Sequence, residues 1–347
     1  MAAVADHGGS LSRARSLFPQ APEPWIDLST GINPHSYPLF DLPATALTRL
    51  PEPARARELT AVAAETYGAP SPLHVALAPG TQILLPRVFS LQKPGRAAIL
   101  GPTYAEHMRV AALAGHSADE VRDFSVLADA DLAVVVNPNN PDGRIVSRAD
   151  LLALAETLRR RGGLLVVDEA FMDVGPQEES LSGEVGQGGI VVLRSFGKFF
   201  GLAGVRLGFA VAAEEIAQRI DAEFGPWSVS GPALEYGIQA LADRAWQDDM
   251  RKRLAADAAR LDRLLAAHGI TVDGGTSLFR HVAIADAASL FDALGGAGIL
   301  VRNFADRPHE LRCGLPGDET AWQRLETALA GWSETSKGSG VRAAVSR

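Results

Sequence analysis

The segment 132–170 decides the fold class, and it reads LAVVVNPNNPDGRIVSRADLLALAETLRRRGGLLVVDEA. It opens with the apolar run Leu132–Val136 and closes with a second run, Leu164–Val167, both rich in β-branched valine. Continuous runs of this kind are typical of strands that are buried on both faces of a parallel sheet. Between them, Ser147 and the aspartate three residues later make an acidic capping box, and a glycine pair marks a helix end. A strand, a helix and a strand in this order predict a right-handed βαβ unit.

Two more apolar runs extend the predicted sheet on either side of this unit. They are Ala97–Leu100 and Ile190–Leu193, and each is short enough for a strand. Strands that alternate with helices pack as layers around one core. We therefore assign residues 41–242 to a large α/β domain.

The chain on either side of this domain has a different pattern. After a long amphipathic helix, apolar strands at Gly298–Arg302 and Glu310–Leu315 and a last helix predict a small α+β domain over residues 243–333. The first 40 residues contain five prolines, which predicts an extended N-terminal arm. Residues 334–347 are small, polar and basic, so we expect a disordered tail there.

The composition excludes several classes of protein. Hydrophobic residues make up 47% and charged residues 21%, which is ordinary for a folded globular chain. There are 33 basic and 41 acidic side chains, and a net charge of −8 argues against nucleic acid or a membrane surface as partner. One cysteine, Cys313, leaves no intramolecular disulfide and no thiolate metal cluster, so we expect no metal and a reducing compartment, the cytoplasm.

The most informative stretch for chemistry is Ser195-Phe-Gly-Lys198-Phe-Phe-Gly-Leu-Ala-Gly-Val-Arg206-Leu-Gly. A lysine lies among aromatic and glycine residues directly after a buried strand. Burial disfavours the ammonium ion, which is what a lysine that reacts with a carbonyl group requires. Ser195 and Arg206 could bind an anion beside it. Taken alone, Lys198 is better explained as a surface lysine after a strand, and only the spacing of the set favours chemistry.

Polar residues also follow two of the other predicted strands. Asn137-Pro-Asn-Asn140-Pro-Asp-Gly comes after Leu132–Val136, and Asp168 ends the next strand. Each is also explained locally, as a turn or as a helix cap. Because ligands of open α/β sheets bind at the carboxyl ends of the strands, we expect Asn140, Asp168 and Lys198 to converge on one crevice.

These motifs, taken in order, resemble the fold-type-I aminotransferase superfamily, whose members use pyridoxal 5′-phosphate (PLP). The resemblance implies a three-layer large domain with a mostly parallel sheet, and a smaller α+β domain. It implies that Lys198 bonds covalently to PLP and that Asp168 pairs with the protonated pyridine nitrogen, which makes the ring an electron sink. It further implies that Asn140 hydrogen-bonds the phenolic oxygen of the ring, and that Ser195 and Arg206 hold the phosphate.

The same resemblance adds an upstream part of the cofactor site. It implies that the backbone amides of Gly80, Thr81 and Gln82 hold the phosphate at the start of a helix, and that Tyr104 stacks on the ring. Without the other matches, Tyr104 would be interpreted as an ordinary packed tyrosine.

Two positions depart from the pattern of relatives near histidinol-phosphate aminotransferase. Those relatives often carry a tyrosine where this chain has Phe171, and another where it has Leu50. Phe171 cannot hydrogen-bond the phenolic oxygen. Leu50 cannot reach a neighbouring subunit's phosphate through a hydroxyl group.

The N-terminal arm indicates the branch of the superfamily. His7-Gly-Gly-Ser, followed by the segment Ile26-Asp-Leu-Ser-Thr-Gly-Ile-Asn33-Pro, resembles the threonine-phosphate decarboxylases of cobalamin biosynthesis. That family removes CO2 from L-threonine O-3-phosphate and yields (R)-1-amino-2-propanol O-2-phosphate. Without the resemblance, the first motif is a flexible terminus and the second a turn, and short motifs match by chance.

Substrate contacts are expected from the C-terminal half and from the arm. By resemblance, Arg312 clamps the substrate carboxylate and Arg302 contacts the substrate phosphate; surface ion pairs are the alternative explanation for both. Two arginines on neighbouring strands suit a substrate with two anionic groups. His7 and Asn33 are further candidates for substrate binding.

Other functions remain open at this point. The cofactor residues serve transamination as well as decarboxylation, so histidinol-phosphate or another amino-acid aminotransferase is the alternative enzyme. A non-catalytic PLP-binding domain of a regulator is a third hypothesis, but the chain shows no helix-turn-helix or basic segment. The resemblance also implies a homodimer with its active site near the interface.

Overall fold

The computed structural model describes residues 7–345, with side chains described to residue 334. The first six residues of the predicted arm and the last two of the predicted tail lie outside this part of the chain. The helices are α1 (Leu11–Leu17), α2 (Thr45–Thr48), α3 (Pro53–Tyr67), α4 (Thr81–Phe89), α5 (Glu106–Leu113), α6 (Arg148–Arg160), α7 (Phe196–Phe199), α8 (Glu214–Phe224), α9 (Gly231–Ala242), α10 (Arg244–Ala267), α11 (Ala287–Gly296) and α12 (Glu319–Val345). The strands are β1 (Ile26–Asp27), β2 (Val75–Ala78), β3 (Arg96–Leu100), β4 (Ser117–Val121), β5 (Leu132–Val136), β6 (Leu164–Asp168), β7 (Ile190–Ser195), β8 (Gly208–Ala212), β9 (Gly274–Thr276), β10 (Phe279–Ala283), β11 (Ile299–Leu300), β12 (Arg302–Phe304) and β13 (Arg307–Gly314).

The chain forms two compact units. Ser36–Asp249 makes the large unit, and the chain before and after it makes the small unit. The sequence placed the boundaries at residues 40 and 242, a few residues from these positions. The second boundary lies inside α10, because one continuous helix connects the two units.

A seven-stranded sheet organises the large unit. Its strand order is β2-β8-β7-β6-β5-β3-β4, and only β8 runs antiparallel to its neighbours. Apolar clusters cover both faces: α4, α5 and α8 contribute to one, and α6 contributes to the other. The strands carry apolar runs because both sides of the sheet are buried. The predicted three-layer α/β architecture is confirmed.

The predicted βαβ unit is β5–α6–β6. Ser147 caps α6: its Oγ accepts from the Asp150 amide at 3.1 Å and donates to the Asp150 carboxylate at 2.6 Å. At the other end, Gly162 has φ of +73° and the Gly163 amide donates to the Leu158 carbonyl at 2.8 Å. This Schellman-type ending needs a residue that tolerates positive φ, which explains the glycine. The caps recognised in the sequence therefore fix both ends of the helix.

The small unit is built on two sheets. Four antiparallel strands have the order β12-β13-β10-β9, and β1 pairs in parallel with β11. The sequence predicted one strand over Gly298–Arg302, and the structure has two, β11 and β12. They separate at Val301 because β11 pairs with the N-terminal segment while β12 pairs with β13. Such a change of partner is a tertiary effect that an apolar run does not encode.

The N-terminal arm is less extended than predicted. It contains the short helix α1 and the strand β1, and the aromatic ring of Phe18 packs against those of Trp25 and Phe291. The prolines that favoured an extended arm all follow α1 in the sequence, so they do not interrupt it. Phe18 directly follows α1, and its half-buried ring packs against Phe291 of α11, which stabilises this otherwise marginal helix.

Helix α10 ends and helix α12 begins where the sequence indicates, but the tail is not disordered as predicted. Gly269, with φ of +75°, follows α10, and Asp318 Oδ1 accepts from the Ala321 amide at 2.8 Å at the start of α12. The predicted disordered tail is instead helical to Val345. It contains no proline, and elongation of an existing helix costs far less than nucleation.

Among the helices described over residues 7–345, none has the length and apolar character needed to cross a bilayer.

Candidate active site

Three neighbouring strands of the large unit end at one edge of the sheet. Asp168 is the last residue of β6, Ser195 is the last of β7, and Asn140 lies in the turn after β5. Lys198 follows Ser195 in the single-turn helix α7. In the parallel pairing Val136 faces Asp168, so β5 and β6 end level with each other, and β7 continues two residues past Leu193, the partner of Asp168. The expected convergence of polar residues at the carboxyl edge is therefore present.

Asp168 is held by two protein donors. Its side chain is 9% exposed, and Oδ2 lies 3.0 Å from Nε2 of His107. Its Oδ1 accepts from the Ala170 amide at 3.1 Å. A carboxylate in this position keeps lone pairs for a further donor, as a protonated pyridine nitrogen would be.

His107 is the main residue that the sequence analysis missed. It lies fully buried on α5, and its ring stacks on Phe89 at a centroid distance of 6.0 Å. Because its Nε2 faces a carboxylate, Nε2 carries the proton in the neutral ring and Nδ1 is the acceptor. The signal was present: His107 is three residues after Tyr104, the spacing that places side chains on one side of a helical turn.

An anion cradle lies where α4 begins. We use this name for Gly80, Thr81, Ser195, Arg206 and Gly208. A Cβ atom on Gly80 would come within 2.6 Å of Arg206 Nη2, and one on Gly208 within 2.5 Å of the Thr81 amide nitrogen. Ser195 is the β7 partner of Gly208. The two glycines thus let the Arg206 guanidinium group and the N-terminus of α4 come close to the end of β7, where Ser195 lies, and such an arrangement suits a phosphate.

The backbone of Arg206 is itself unusual. Its φ of +57° places it in the left-handed region, which costs a residue with a Cβ of the order of 1–2 kcal/mol. Its Nη1 donates to the Ala203 carbonyl at 3.0 Å, and its Nη2 lies against Gly80. Strain of this kind is found where the position of a side chain matters more than local stability.

The structure changes one detail of the predicted phosphate site. The Gly80 amide donates to the Ala78 carbonyl at 2.7 Å, so it is already used. Gly80 contributes space, and the amides of Thr81 and Gln82 in the first turn of α4 are the available donors. Within the described residues, Thr81 Oγ1 is buried without a hydrogen-bond partner. A buried hydroxyl group normally has a partner, so this atom favours a bound acceptor.

Tyr104 is fixed beside His107. Its hydroxyl donates to Gln82 Oε1 at 3.1 Å, while Gln82 Nε2 donates to Glu106 at 2.7 Å. The rings of Tyr104 and His107 meet edge to face at 5.7 Å. Burial raises the pKa of the Tyr104 phenol to about 12, so it stays neutral. The side chain of Gln82 is thus committed to positioning the aromatic ring.

The asparagines after β5 have different environments. Asn139 is fully buried, accepts from Thr103 Oγ1 at 2.7 Å and donates to the Pro102 carbonyl at 3.0 Å. It ties the β5 turn to the segment that carries Tyr104. Asn140 is half-buried at the sheet edge.

Lys198 lies in aromatic surroundings. Its Nζ is 5.5 Å from the ring centroid of Phe171, and the rings of Phe196, Phe199 and Phe200 are buried around α7. These rings form an aromatic wall beside the amine. Phe171 gives this wall no hydroxyl group, as the sequence analysis noted.

Taken together, the large unit fits PLP. The cradle has donors for a phosphate and a buried hydroxyl group without a partner. Asp168 can accept from the ring nitrogen, and Lys198 lies after the neighbouring strand at the same sheet edge. None of the described residues forms a cluster that could hold a metal ion.

The predicted substrate residues lie in the small unit. Arg312 on β13 is buried, donates to the Ser29 carbonyl at 2.5 Å and lies over the ring of Phe279. Arg302 on β12 faces it in register. Burial, and then the charge of Arg302, lowers the pKa of Arg312 to about 10, which still leaves it charged at neutral pH. Two cations held side by side favour an anionic ligand.

The N-terminal segment completes this region. Gly9 donates its amide to Ser29 Oγ at 2.7 Å, and a Cβ on Gly8 would lie 2.5 Å from the Ser29 carbonyl oxygen. His7 and Arg302 consequently line one small cavity of the small unit. Asn33 is buried, and its Oδ1 accepts from the His35 amide at 2.8 Å.

Comparison with known proteins assigns the family. The family model for aminotransferases of class I and II matches residues 49–318. The chain belongs to the class I and II aminotransferase family. Membership confirms the predicted fold and the predicted cofactor, PLP.

Two relatives and one solved structure resemble this chain over most of its length. The chain is 44% identical to a threonine-phosphate decarboxylase of Pseudomonas aeruginosa, over 95% of this chain and 98% of the relative. It is 42% identical to a protein of the same name from Sinorhizobium sp, over 95% and 99% of the two chains. Among solved structures, histidinol-phosphate aminotransferase from Sinorhizobium meliloti in complex with PLP superposes with a TM-score of 0.79, at 20% identity, over 93% and 94%. The last likeness concerns the fold.

Within this aminotransferase-family chain, the roles of the individual side chains remain predictions. The structure brings Asn140, Asp168, Ser195 and Lys198 to one edge of the large sheet. It brings Arg302, Arg312 and His7 into one region of the small unit. Asn33 is buried and follows Ser29 by four residues in the sequence.

Proposed function

We propose that this chain is a threonine-phosphate decarboxylase. It converts L-threonine O-3-phosphate into (R)-1-amino-2-propanol O-2-phosphate and CO2, and it acts in the cytoplasm. One observation supports this branch above all: the His-Gly-Gly segment packs on Ser29 and brings His7 to the cavity lined by Arg302. Close contact with the Ser29 carbonyl oxygen requires Gly8, and a φ of +87° favours glycine at position 9, so the motif is a built feature of the small unit.

The large unit supplies the cofactor site in this proposal. PLP, when bound, accepts the electron pair of a breaking bond at the substrate Cα atom. Asp168 would accept a hydrogen bond from the pyridine N–H and so keep that nitrogen protonated. The anion cradle holds the phosphate, and Tyr104 limits the position of the ring. Lys198 Nζ delivers a proton to Cα after CO2 has left, so the product carries hydrogen where the substrate carried carboxylate.

The small unit binds the two anionic groups of the substrate. Arg312 forms a bidentate contact with the α-carboxylate, and Arg302 and His7 bind the phosphate. The guanidinium group of Arg312 is already desolvated and oriented by Ser29 and Phe279, so little order is lost on binding. A clamp on the carboxylate would orient the substrate so that Cα–COO⁻ is the bond that breaks.

A substrate panel tests this function. L-threonine O-3-phosphate should release CO2, and free threonine should be a far poorer substrate because the cationic donors then lack a partner. Arg312→Ala should lower both kcat and kcat/KM, whereas Arg302→Ala should mainly reduce the preference for the phosphorylated substrate. Rapid transamination of histidinol phosphate with 2-oxoglutarate, without CO2 from threonine phosphate, would assign the chain to the aminotransferases instead.

We also propose that the enzyme is a homodimer. The large unit exposes apolar side chains at Leu47, Leu50, Leu73 and Trp227, of which Leu50 is 62% and Trp227 56% exposed. Leu73 and Trp227 line one cavity of this unit. Trp227 has φ of +65°, an uncommon backbone conformation for a bulky residue. A second copy would bury these residues, and static light scattering should give twice the chain mass. A fully active monomer at high dilution would contradict the dimer.

A further inference from the structure

An ionised side chain lies inside one of the central strands. Arg194 is the fifth residue of β7, after four apolar residues, and it is 1% exposed. Its Nη1 donates to Glu169 Oε2 at 2.9 Å and its Nη2 to Asp173 Oδ1 at 2.8 Å. The guanidinium group lies 4.3 Å from the ring centroid of Tyr67. We call these four residues the Arg194 cluster.

The carboxylate of Glu169 is tied to the chain beyond β6 as well. Its Oε2 accepts from Ser180 Oγ at 2.6 Å, and its Oε1 accepts from the Leu181 amide at 2.8 Å. Burial raises the pKa of Glu169, although Arg194 opposes this effect. Burial lowers the pKa of Arg194, but Asp173 and Glu169 outweigh it and raise the pKa, so the guanidinium group stays charged.

The cluster lies directly behind the cofactor residues. Glu169 follows Asp168 in the chain, and Arg194 precedes Ser195. Because side chains alternate between the faces of a strand, Glu169 and Arg194 lie on the face opposite Asp168 and Ser195. A backbone hydrogen bond also connects the ends of β6 and β7, since the Glu169 amide donates to the Leu193 carbonyl at 2.9 Å. One guanidinium group therefore connects the ends of β6 and β7 from the rear.

Stability alone does not explain such a cluster. A buried ion pair costs so much desolvation that well-packed apolar residues are often equally stable in its place. A planar guanidinium fork with two carboxylates does, however, accept only a narrow range of geometries. We therefore expect the cluster to fix the spacing and the orientation of the ends of β6 and β7.

We infer that the Arg194 cluster is a positioning device for the cofactor site, which holds Asp168 and Ser195 in the geometry that PLP needs. This inference rests on the proposed PLP chemistry but not on the substrate. Arg194 touches neither cofactor nor substrate, and it acts through its neighbours in the two strands.

Two variants of the full chain test whether the cluster positions the cofactor residues or only stabilises the fold. Arg194→Lys keeps the charge, but a point charge cannot bridge both carboxylates. The triple variant Arg194→Met, Glu169→Gln, Asp173→Asn removes every charge of the cluster, so no uncompensated ion is left to unfold the protein. Leu158→Ala is the control, because it opens the core on the same face of the sheet at a residue of α6 that is not a member of the cluster.

The measurements are the Kd for PLP, the pH titration of the visible absorbance of bound PLP, and the thermal midpoint without PLP. Both cluster variants should bind PLP about 10- to 100-fold more weakly, the range known for residues that orient metal ligands, and should shift the titration. Leu158→Ala should lower the midpoint and leave both PLP readouts unchanged. PLP affinity and titration in the cluster variants equal to those of Leu158→Ala would overturn the inference. Because these readouts need no substrate, a wild type that transaminates histidinol phosphate would refute the proposed function and leave this inference intact.

Discussion

Replacement of Gly80 by alanine tests the anion cradle with a single methyl group. The new Cβ atom would lie 2.6 Å from Arg206 Nη2 and 3.1 Å from its Cζ atom, so the guanidinium group must move. The φ of +96° at Gly80 is a conformation that favours glycine. The substitution therefore has two separable effects, backbone strain and displacement of Arg206.

The two effects have different magnitudes and different readouts. Backbone strain should lower the free energy of unfolding by about 1–3 kcal/mol, with or without cofactor. Loss of one charge-assisted hydrogen bond to the PLP phosphate is worth roughly 1.5–3 kcal/mol. That loss corresponds to roughly a 10- to 150-fold increase in the Kd for PLP.

A matched control distinguishes strain from displacement. Gly162 has φ of +73°, and a Cβ atom there meets nothing within 4 Å. Gly162→Ala should therefore lower stability in urea unfolding by about 1–2 kcal/mol and leave the Kd for PLP unchanged. If Gly80→Ala binds PLP as tightly as Gly162→Ala does, Arg206 does not hold the phosphate and the cradle is wrongly assigned.

Three more predictions concern the sheet edge. Borohydride reduction of the PLP-loaded enzyme followed by peptide mapping should place the pyridoxyl group on Lys198; a label on another lysine would refute that role. Asp168→Asn should keep the fold by circular dichroism and lower turnover by orders of magnitude, and near-native turnover would show that the carboxylate has another task. His107→Phe keeps an aromatic ring against Phe89 but removes the donor to Asp168, so kcat should fall by about 10- to 100-fold while the KM for substrate changes little; unchanged kcat would make His107 a packing residue only.

The sequence determined the large unit and the identity of its main polar residues. The apolar runs predicted β5 within its observed bounds and the other three central strands to within two residues, because a strand covered on both faces has to be apolar along its length. Asp168, Ser195 and Lys198 were found because each lies within five residues of the end of such a run. Local signals were sufficient for these features.

Only the tertiary structure decided the residues that act through contacts distant in sequence. His107 and Asp168 are 61 residues apart, and Arg194 and Glu169 are 25 apart, yet both pairs are in hydrogen-bond contact. The same holds for Arg312 and Ser29, which are 283 residues apart. A short motif records the chemistry of a side chain, but its burial and its partner depend on which strands and helices pack together. For that reason the sequence did not predict the strand order of the sheet or the separation of β11 from β12. It did not predict the Arg194 cluster either.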